Sequence, residues 1–223
     1  MRFDIIATGS SGNAVVLNGS ILIDCGVPFK KLEAVKKDLK LVLLTHIHGD
    51  HFNPRTVRAL AKERPTLRWC CCDWMVEPLV KAGVDKRRID VARPTEPGDT
   101  SHALIYDGLA IVDPIPLVHD VPNCGWRIGG DGEKIFYATD TGTLDGIEAK
   151  NFDLYLIEAN HTKEEIEERI KEKHAAGEFA YESRAASNHL SQDQALDWLY
   201  QNMGPRSRYV FLHQHKEKER SDA

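Results

Sequence analysis

Short apolar segments separated by turn residues dominate the first half of the chain. Residues 3–8, 14–18 and 21–24 are rich in β-branched and other apolar side chains, with Gly, Asn and Asp between them, which predicts three strands. Residues 41–44 form an entirely apolar run that is short enough for a buried strand. The same pattern predicts further strands at residues 67–72, 99–106, 109–116, 125–128, 134–138, 154–158 and 208–212.

Helical spacing appears in four places along the chain. Residues 28–39 place apolar side chains on one face, and residues 54–62 follow a potential N-cap at Asn53. Residues 163–173 are Glu-rich at the start and Lys-rich later, and residues 191–201 begin with the potential cap Ser191. Strands followed by helices and then strands again predict a layered α/β sandwich. We see no repeat or linker, so residues 1–223 are predicted to form a single domain.

The stretch Thr45-His46-Ile47-His48-Gly49-Asp50-His51 carries the strongest chemical signal. Four of its seven residues can bind a metal ion, and they stand just beyond a predicted buried strand. A turn at this point lets the four side chains converge, which a regular helix or strand does not allow. Imidazole and carboxylate together suit zinc, manganese or iron. The alternative, a polar turn that happens to be rich in histidine, does not explain three histidines within six residues.

This HxHxDH motif resembles that of the metallo-β-lactamase superfamily, and the resemblance extends over nearly the whole chain. Residues 21–26 (ILIDCG) are similar to the family's strand that ends in an aspartate, here Asp24, which orients a ligand histidine. His119, Asp140 and His213 stand where the family has an isolated histidine, a bridging carboxylate and a last histidine. Taken singly, these three would be ordinary loop or core residues, and only their shared order singles them out. The resemblance implies a four-layer αββα sandwich.

The same resemblance implies a ligand set for two divalent metal ions, zinc or manganese, with iron possible. One metal would take His46, His48 and His119, and the other Asp50, His51 and His213, with Asp140 between them. His215 competes with His213 for the last position; we prefer His213 because it directly follows an apolar strand. Such a pair of ions ~3.5–4 Å apart lowers the pKa of a water between them and neutralises charge during in-line attack. The expected reaction is therefore hydrolysis by a metal-bound hydroxide.

Five short motifs resemble the YycJ/WalJ-type branch of nucleases within this superfamily. They are GSSGN at 9–13, DCG at 24–26, His119-Asp120 with Gly125, LIEANH at 156–161 and NHLS at 188–191. The branch implies an exonuclease that acts on single-stranded nucleic acid. Gln214-His215-Lys216 departs from the pattern of the branch, which leaves fine specificity open.

Further residues are candidates for catalysis and substrate binding. In tRNA 3′-processing endonucleases of the superfamily, a glutamate and a later histidine form a proton-donating pair, and Glu158 and His189 occupy similar positions. The predicted catalytic residues are Asp50, Asp140, Glu158 and His189. In the loop 9–13, Ser11 and Asn13 could contact a phosphate; His161 is a weaker substrate candidate because Asn160-His161 could instead cap a helix.

Composition limits the kinds of partner and the cellular location that we expect. The formal net charge is −5, and the basic residues at 216–220 are mixed with glutamates, which argues against wide duplex binding but not against a strand end. There is no apolar run of membrane-spanning length and no signal-like N-terminus. Five cysteines without a CxxC spacing favour reduced thiols and a cytoplasmic protein. Protein partners are not indicated.

Three other functions share parts of this pattern. A cyclic-nucleotide or small-molecule phosphodiesterase would use the same ligands. So would a thioester or lactone hydrolase, which has no use for the Glu158/His189 pair. A degenerate binding module would lack metal, which the complete set of candidate ligands argues against.

Overall fold

Two six-stranded β-sheets form the centre of the computed structural model, which describes residues 2–94, 102–162, 164–166 and 188–214. In the first sheet the strands lie side by side in chain order, antiparallel from β1 to β3 and parallel from β3 to β6. Its strands are β1 (Phe3–Ala7), β2 (Ala14–Leu17), β3 (Ile21–Ile23), β4 (Leu41–Leu43), β5 (Arg68–Cys71) and β6 (Ile89–Val91).

The second sheet also follows chain order. It is antiparallel from β7 to β10 and parallel from β10 to β12. Its strands are β7 (Leu104–Tyr106), β8 (Ala110–Leu117), β9 (Asn123–Gly130), β10 (Glu133–Ala138), β11 (Leu154–Glu158) and β12 (Arg208–Leu212). The predicted strands at 3–8, 14–18, 21–24, 41–44, 67–72, 109–116, 125–128, 134–138, 154–158 and 208–212 are thus confirmed to within a few residues. Of the prediction at 99–106, residues 99–101 lie outside the described residues.

Three α-helices flank the sheets in the described part: α1 (Pro54–Glu63), α2 (Val76–Lys81) and α3 (Gln192–Asn202). The predicted caps are confirmed, since the Asn53 side chain accepts from two backbone N–H groups of α1 and Ser191 forms a capping box with Gln194. Each of these helices is too short to cross a lipid bilayer. The predicted helix at 163–173 lies outside the described residues except for 164–166, which are helical.

The predicted helix at 28–39 is wrong. Only a 3-10 turn at Phe29–Leu32 forms, and turns follow it. The Arg64 side chain donates to the carbonyls of Lys36, Lys37 and Leu39, and the Lys40 N–H donates to Ser20 instead of to a helical carbonyl. These tertiary hydrogen bonds fix the end of the segment, where the carbonyls of a helix's last turn would have no partner within the helix. The sequence pattern also missed α2 and β6.

Hydrophobic packing arranges the elements in four layers. Alternate side chains of the two sheets meet in a central core, in which Ile23 and Leu43 lie with Trp126 and Tyr137. The opposite face of the first sheet packs against α1 and α2, and the outer face of the second sheet packs against α3. This arrangement confirms the αββα sandwich.

The parallel strands bring the candidate ligands to one edge of the molecule. The HxHxDH turn follows β4, Asp24 follows β3, Asp140 comes two residues after β10, and His213 follows β12. Parallel strands end at the same edge of a sheet, and ligands bind beyond their carboxyl ends in open α/β sheets. The fold therefore places these residues together between the two sheets.

Candidate metal centre

The HxHxDH motif folds into a tight turn rather than a helix or a strand. The backbone N–H groups of His51 and Phe52 both donate to the carbonyl of His48, over 2.9 and 2.7 Å. His46 and His51 are fully buried, whereas His48 and Asp50 are partly exposed. The turn therefore places His46 and His48 in one group of potential metal ligands and Asp50 and His51 in a neighbouring group.

The first ligand set consists of His46, His48 and His119. One ring nitrogen from each lies within 4.8 Å of the others, and His48 Nδ1 is 3.3 Å from His119 Nε2. The other nitrogen of His119 lies 3.2 Å from the carbonyl of Asn188. The buried Nε2 of His46 has no hydrogen-bond partner among the described residues. Such an atom is costly unless something else satisfies it, and a metal ion would do so.

The second ligand set consists of Asp50, His51 and His213, which also converge within 4.8 Å. The Oδ2 atom of Asp50 is 3.4 Å from His213 Nε2 and 3.7 Å from His51 Nε2. His213 has a φ of +50°, which is uncommon for a non-glycine residue. Thr8 accepts its backbone N–H over 2.7 Å, and the Asn160 amide donates to its carbonyl over 3.0 Å.

Asp140 lies between the two sets. Its Oδ2 is 2.9 Å from His51 Nε2, its Oδ1 is 3.6 Å from His213 Nε2, and it forms a further potential metal-binding group with His46 and His51. The carboxylate is 3% exposed. The carboxylate therefore reaches residues of both sets.

The Asp24 carboxylate contacts the ring of His51 through Nδ1. It is fully buried, and its Oδ2 is 2.7 Å from His51 Nδ1. The backbone N–H and the hydroxyl of Thr45 donate to it over 3.0 Å, and the Tyr137 hydroxyl donates over 3.3 Å. A carboxylate that takes Nδ1–H leaves Nε2 to face a metal. Asp24 is thus an orienting residue, as its sequence context predicts.

The electrostatics of the two sets differ. Burial lowers the pKa of His46 to about 2, so this imidazole is neutral and ready to bind metal. Burial also opposes protonation of His51, but Asp140 and Asp24 on either side raise its pKa well above the ordinary value. Burial likewise opposes ionisation of Asp140, yet the charge of His51 holds its pKa well below the usual range. In the absence of metal, His51 therefore carries a proton between two carboxylates, where a cation would fit.

Glu158 and His189 form a hydrogen-bonded pair beside Asp140. His189 Nδ1 is 2.9 Å from Glu158 Oε2 and 3.6 Å from Asp140 Oδ1. The Glu158 side chain is fully buried, and its Oε1 accepts the backbone N–H of Thr141 over 2.5 Å. Burial lowers the pKa of His189, but the hydrogen bond and charge of Glu158 outweigh burial and raise it above its ordinary value.

The three predicted substrate residues occupy different environments. Ser11 is exposed near the site, whereas Asn13 is 1% exposed and its amide contacts Asp50 and His51. His161 is 9% exposed, and its carbonyl accepts the first N–H of α3. His215, the competitor of His213, lies outside the described residues.

Sequence reasoning missed two residues that support ligands. Asp120 Oδ1 is 3.4 Å from His48 Nε2 and 3.3 Å from His119 Nε2, and Asn160 contacts both the carbonyl and the ring of His213. Both residues stand in motifs that the sequence singles out. Only their roles required the spatial arrangement.

The site can therefore hold divalent metal. Its donors are nitrogen and oxygen, four groups of three converge, and the buried Nε2 of His46 has no hydrogen-bond partner within the described ranges. This chemistry suits zinc, manganese or iron and does not select among them.

Comparison with known proteins agrees with this fold. The exodeoxyribonuclease WalJ of Streptococcus pneumoniae (serotype 2, strain D39) is 27% identical over 243 aligned positions, covering 95% of this chain and 80% of the relative. Human tRNase Z, short form, has a TM-score of 0.70 at 17% identity and covers 97% of this chain and 93% of that one. Zn(2+)-bound PqqB from Methylobacterium extorquens has a TM-score of 0.66 at 10% identity and covers 96% and 89%.

A family model described as a beta-lactamase superfamily domain matches residues 20–214, which is most of the chain. The match includes every candidate metal ligand. Together with WalJ, it confirms the superfamily and the nuclease-like resemblance predicted from the motifs. The chain therefore belongs to the metallo-β-lactamase superfamily, as one of its metal-dependent hydrolases.

Proposed function

We propose that this enzyme hydrolyses phosphodiester bonds in nucleic acid, as an exonuclease acting on single strands and using two divalent cations, Zn²⁺ or Mn²⁺. The relative WalJ is named as an exodeoxyribonuclease and a structural neighbour as a tRNase. A metal core alone does not select this reaction, because the same core serves other hydrolases. The arrangement of side chains around it supports the choice.

The chain's own residues hold the reacting groups. When bound, two divalent cations would supply an ionised water and neutralise charge that develops on the phosphate oxygens. Asp140 lies within reach of both ligand sets, and Asp24 fixes the ring of His51 through Nδ1. Asp50 lies in the second set with His51 and His213 and would act at the catalytic centre.

The Glu158–His189 pair is the observation that carries the proposal. A nucleic-acid leaving group is an alkoxide, which departs poorly unless it receives a proton. Glu158 engages Nδ1 of His189, which leaves the second ring nitrogen to donate that proton. The His189 ring is 17% exposed and stacks 5.2 Å from the ring of His213, so it borders the metal centre. A thioester hydrolase has no need of this pair, because a thiolate leaves without a proton.

Charge supports a strand end as the substrate. The chain has a formal net charge of −5 and no purely basic block, so a wide electrostatic duplex surface is not expected. Binding would instead come from contacts near the metal centre, with Ser11 and His161 as the candidate substrate contacts.

The five free, buried cysteines support the proposed cytoplasmic location. That residues 1–223 form one domain stays a prediction.

A leaving-group comparison tests the function. Purified enzyme is assayed with Mn²⁺ or Zn²⁺ on end-labelled single-stranded DNA, duplex DNA, RNA, a cyclic nucleotide, a thioester and bis-p-nitrophenyl phosphate. His189→Ala should lower kcat on single-stranded nucleic acid by roughly 10²–10⁴-fold, and Glu158→Gln should act in the same direction. The loss should be much smaller on bis-p-nitrophenyl phosphate, since p-nitrophenolate leaves without a proton. His102→Ala, at an exposed position, is the matched control.

Three results would contradict parts of the proposal. An equal loss on both phosphodiesters would show that His189 does not protonate the leaving group. Turnover of the thioester with none on any phosphodiester would replace the proposed reaction by the acyl-transfer alternative. Preference for the cyclic nucleotide over DNA and RNA would identify a small-molecule phosphodiesterase.

A further inference from the structure

Three chain segments meet backbone against backbone beside the second ligand set: the Gly-Ser loop (residues 9–13), the turn after β3 and the HxHxDH turn. A Cβ atom on Gly12 would lie 2.8 Å from the carbonyl oxygen of Gly26, and one on Gly26 would lie 1.7 Å from that of Asp50. The backbone N–H of Asn13 donates to the Asp50 carbonyl over 2.6 Å. The Gly-Ser loop is therefore packed against the metal-binding turn.

The Asn13 side chain points into this contact and not towards solvent. Its Oδ1 accepts the Gly9 backbone N–H over 2.9 Å, which assigns the orientation of the amide. The amide nitrogen then lies 3.3 Å from Asp50 Oδ2, 3.2 Å from the Asp50 carbonyl and 2.8 Å from His51 Nε2. At 1% exposure the side chain has little surface left for a substrate.

The Asp50 carboxylate depends on this amide for its orientation. Its other contacts in the described part of the chain are with His213 and His51, which are candidate ligands themselves. Asn13 is thus the donor to Asp50 that stays in place whether or not those ring nitrogens engage a metal. The amide has oxygen acceptors on Gly9 and Asp50, so it is satisfied without any hydrogen bond to His51 Nε2.

We infer that Asn13 is a positioning residue for the second ligand set, acting through the Asp50 carboxylate, and that the Gly-Ser loop supports the metal centre through it. This differs from the substrate role that the sequence suggested for Asn13. The inference rests on the metal centre of the proposed function but not on its substrate, because metal affinity can be measured without substrate.

Metal titration of the chelator-stripped full chain tests this role. Mn²⁺ and Zn²⁺ are titrated by calorimetry into the wild type, Asn13→Ala, Asp50→Ala and the double variant, with Ser10→Ala as control in the same loop. Asn13→Ala should bind the first equivalent normally and the second roughly 10–100-fold more weakly, the range for lost support of a ligand. In the Asp50→Ala background, Asn13→Ala should add no further loss, because the two residues act as a unit. Ser10→Ala should bind both equivalents as the wild type does.

Each other outcome is decisive. Unchanged affinity for both equivalents in Asn13→Ala, especially with a raised KM for single-stranded DNA, would overturn the inference and return Asn13 to a substrate role. Additive losses in the double variant would also overturn it, since they would show a general effect on the loop. Normal binding of the first equivalent shows that the variant is folded; if Asn13→Ala does not fold, Asn13→Ser carries the same cycle. Failure of the proposed nuclease reaction would leave these metal affinities unchanged.

Discussion

Replacing Asp24 by asparagine changes one atom of the buried support of His51. The wild-type carboxylate accepts from His51 Nδ1 over 2.7 Å and from the Thr45 backbone N–H over 3.0 Å. In Asp24→Asn, one oxygen can still serve Thr45, but the new NH₂ group then faces Nδ1. Two donors cannot share a hydrogen bond, so Nδ1 must become an acceptor, and Nε2 is then the nitrogen that carries the proton. That nitrogen can then no longer bind a metal.

The expected losses follow from the contacts. One hydrogen bond to a charged group in a fully buried site contributes about 1.5–3 kcal/mol to the free energy of unfolding. A lost orienting partner weakens metal binding by roughly 10–100-fold, equivalent to about 1.4–2.8 kcal/mol. The first ligand set should keep its affinity. Asp4→Asn is the control, because its side chain is 44% exposed and pairs only with Arg2 over 3.5 Å in the described structure; it should change stability by less than about 0.5 kcal/mol.

Two measurements together decide the case. Competition with a chelator measures the affinity of each metal equivalent, and long-range ¹H–¹⁵N correlation of the histidine rings reports which nitrogen of His51 carries the proton. If Asp24→Asn kept Nδ1 protonated and bound the second equivalent as tightly as the wild type, the tautomer argument would be refuted. A loss confined to thermal stability would reduce Asp24 to a structural role.

Two further predictions follow from the same contacts. Affinity for the second metal equivalent should fall about tenfold per pH unit on acidification, because the metal must displace the proton from His51, whose pKa is raised, whereas the neutral His46 adds no such proton; potentiometric titration that finds no proton release would contradict this. Gly26→Ala should destabilise the chain by about 3 kcal/mol, since its Cβ would lie 1.7 Å from the Asp50 carbonyl; thermal unfolding of Gly49→Ala, whose Cβ would meet nothing within 4 Å, is the comparison, and equal stability of the two would contradict the steric reasoning.

Local patterns predicted most of the strands and the position of the metal-binding turn. The run at 41–44 is apolar because β4 is buried on both faces, and a turn must follow it where four polar ligands begin. The resemblance supplied His119, Asp140 and His213, which no local pattern distinguishes from ordinary residues. The helix predicted at 28–39 was wrong: only the 3-10 turn at Phe29–Leu32 forms, and Arg64, from a distant segment, binds the carbonyls at the end of the range.

The supporting contacts could not be predicted for a different reason. Asn13 and Asn160 are short amides in loops, where the sequence permits a substrate contact, a turn or a cap equally well. Their roles depend on which distant backbone passes within 3.5 Å, such as the carbonyls of Asp50 and His213. Which backbone passes there is decided by how the distant segments pack, and the residue type alone does not show it.

Backbone conformation links the fold to the chemistry. Asp24, Asp140 and His213 all have φ between +50° and +60°, and each follows shortly after a strand. Left-handed conformations at non-glycine residues cost about 1–3 kcal/mol each and persist only where the surroundings fix them. Here each such residue follows a strand of the buried sheets. The left-handed residue changes the direction of the chain there, and its side chain points towards the space between the sheets. The packed sheets therefore stabilise the left-handed backbone at Asp24, Asp140 and His213. This conformation allows residues over a hundred positions apart in sequence to surround the same metal centre.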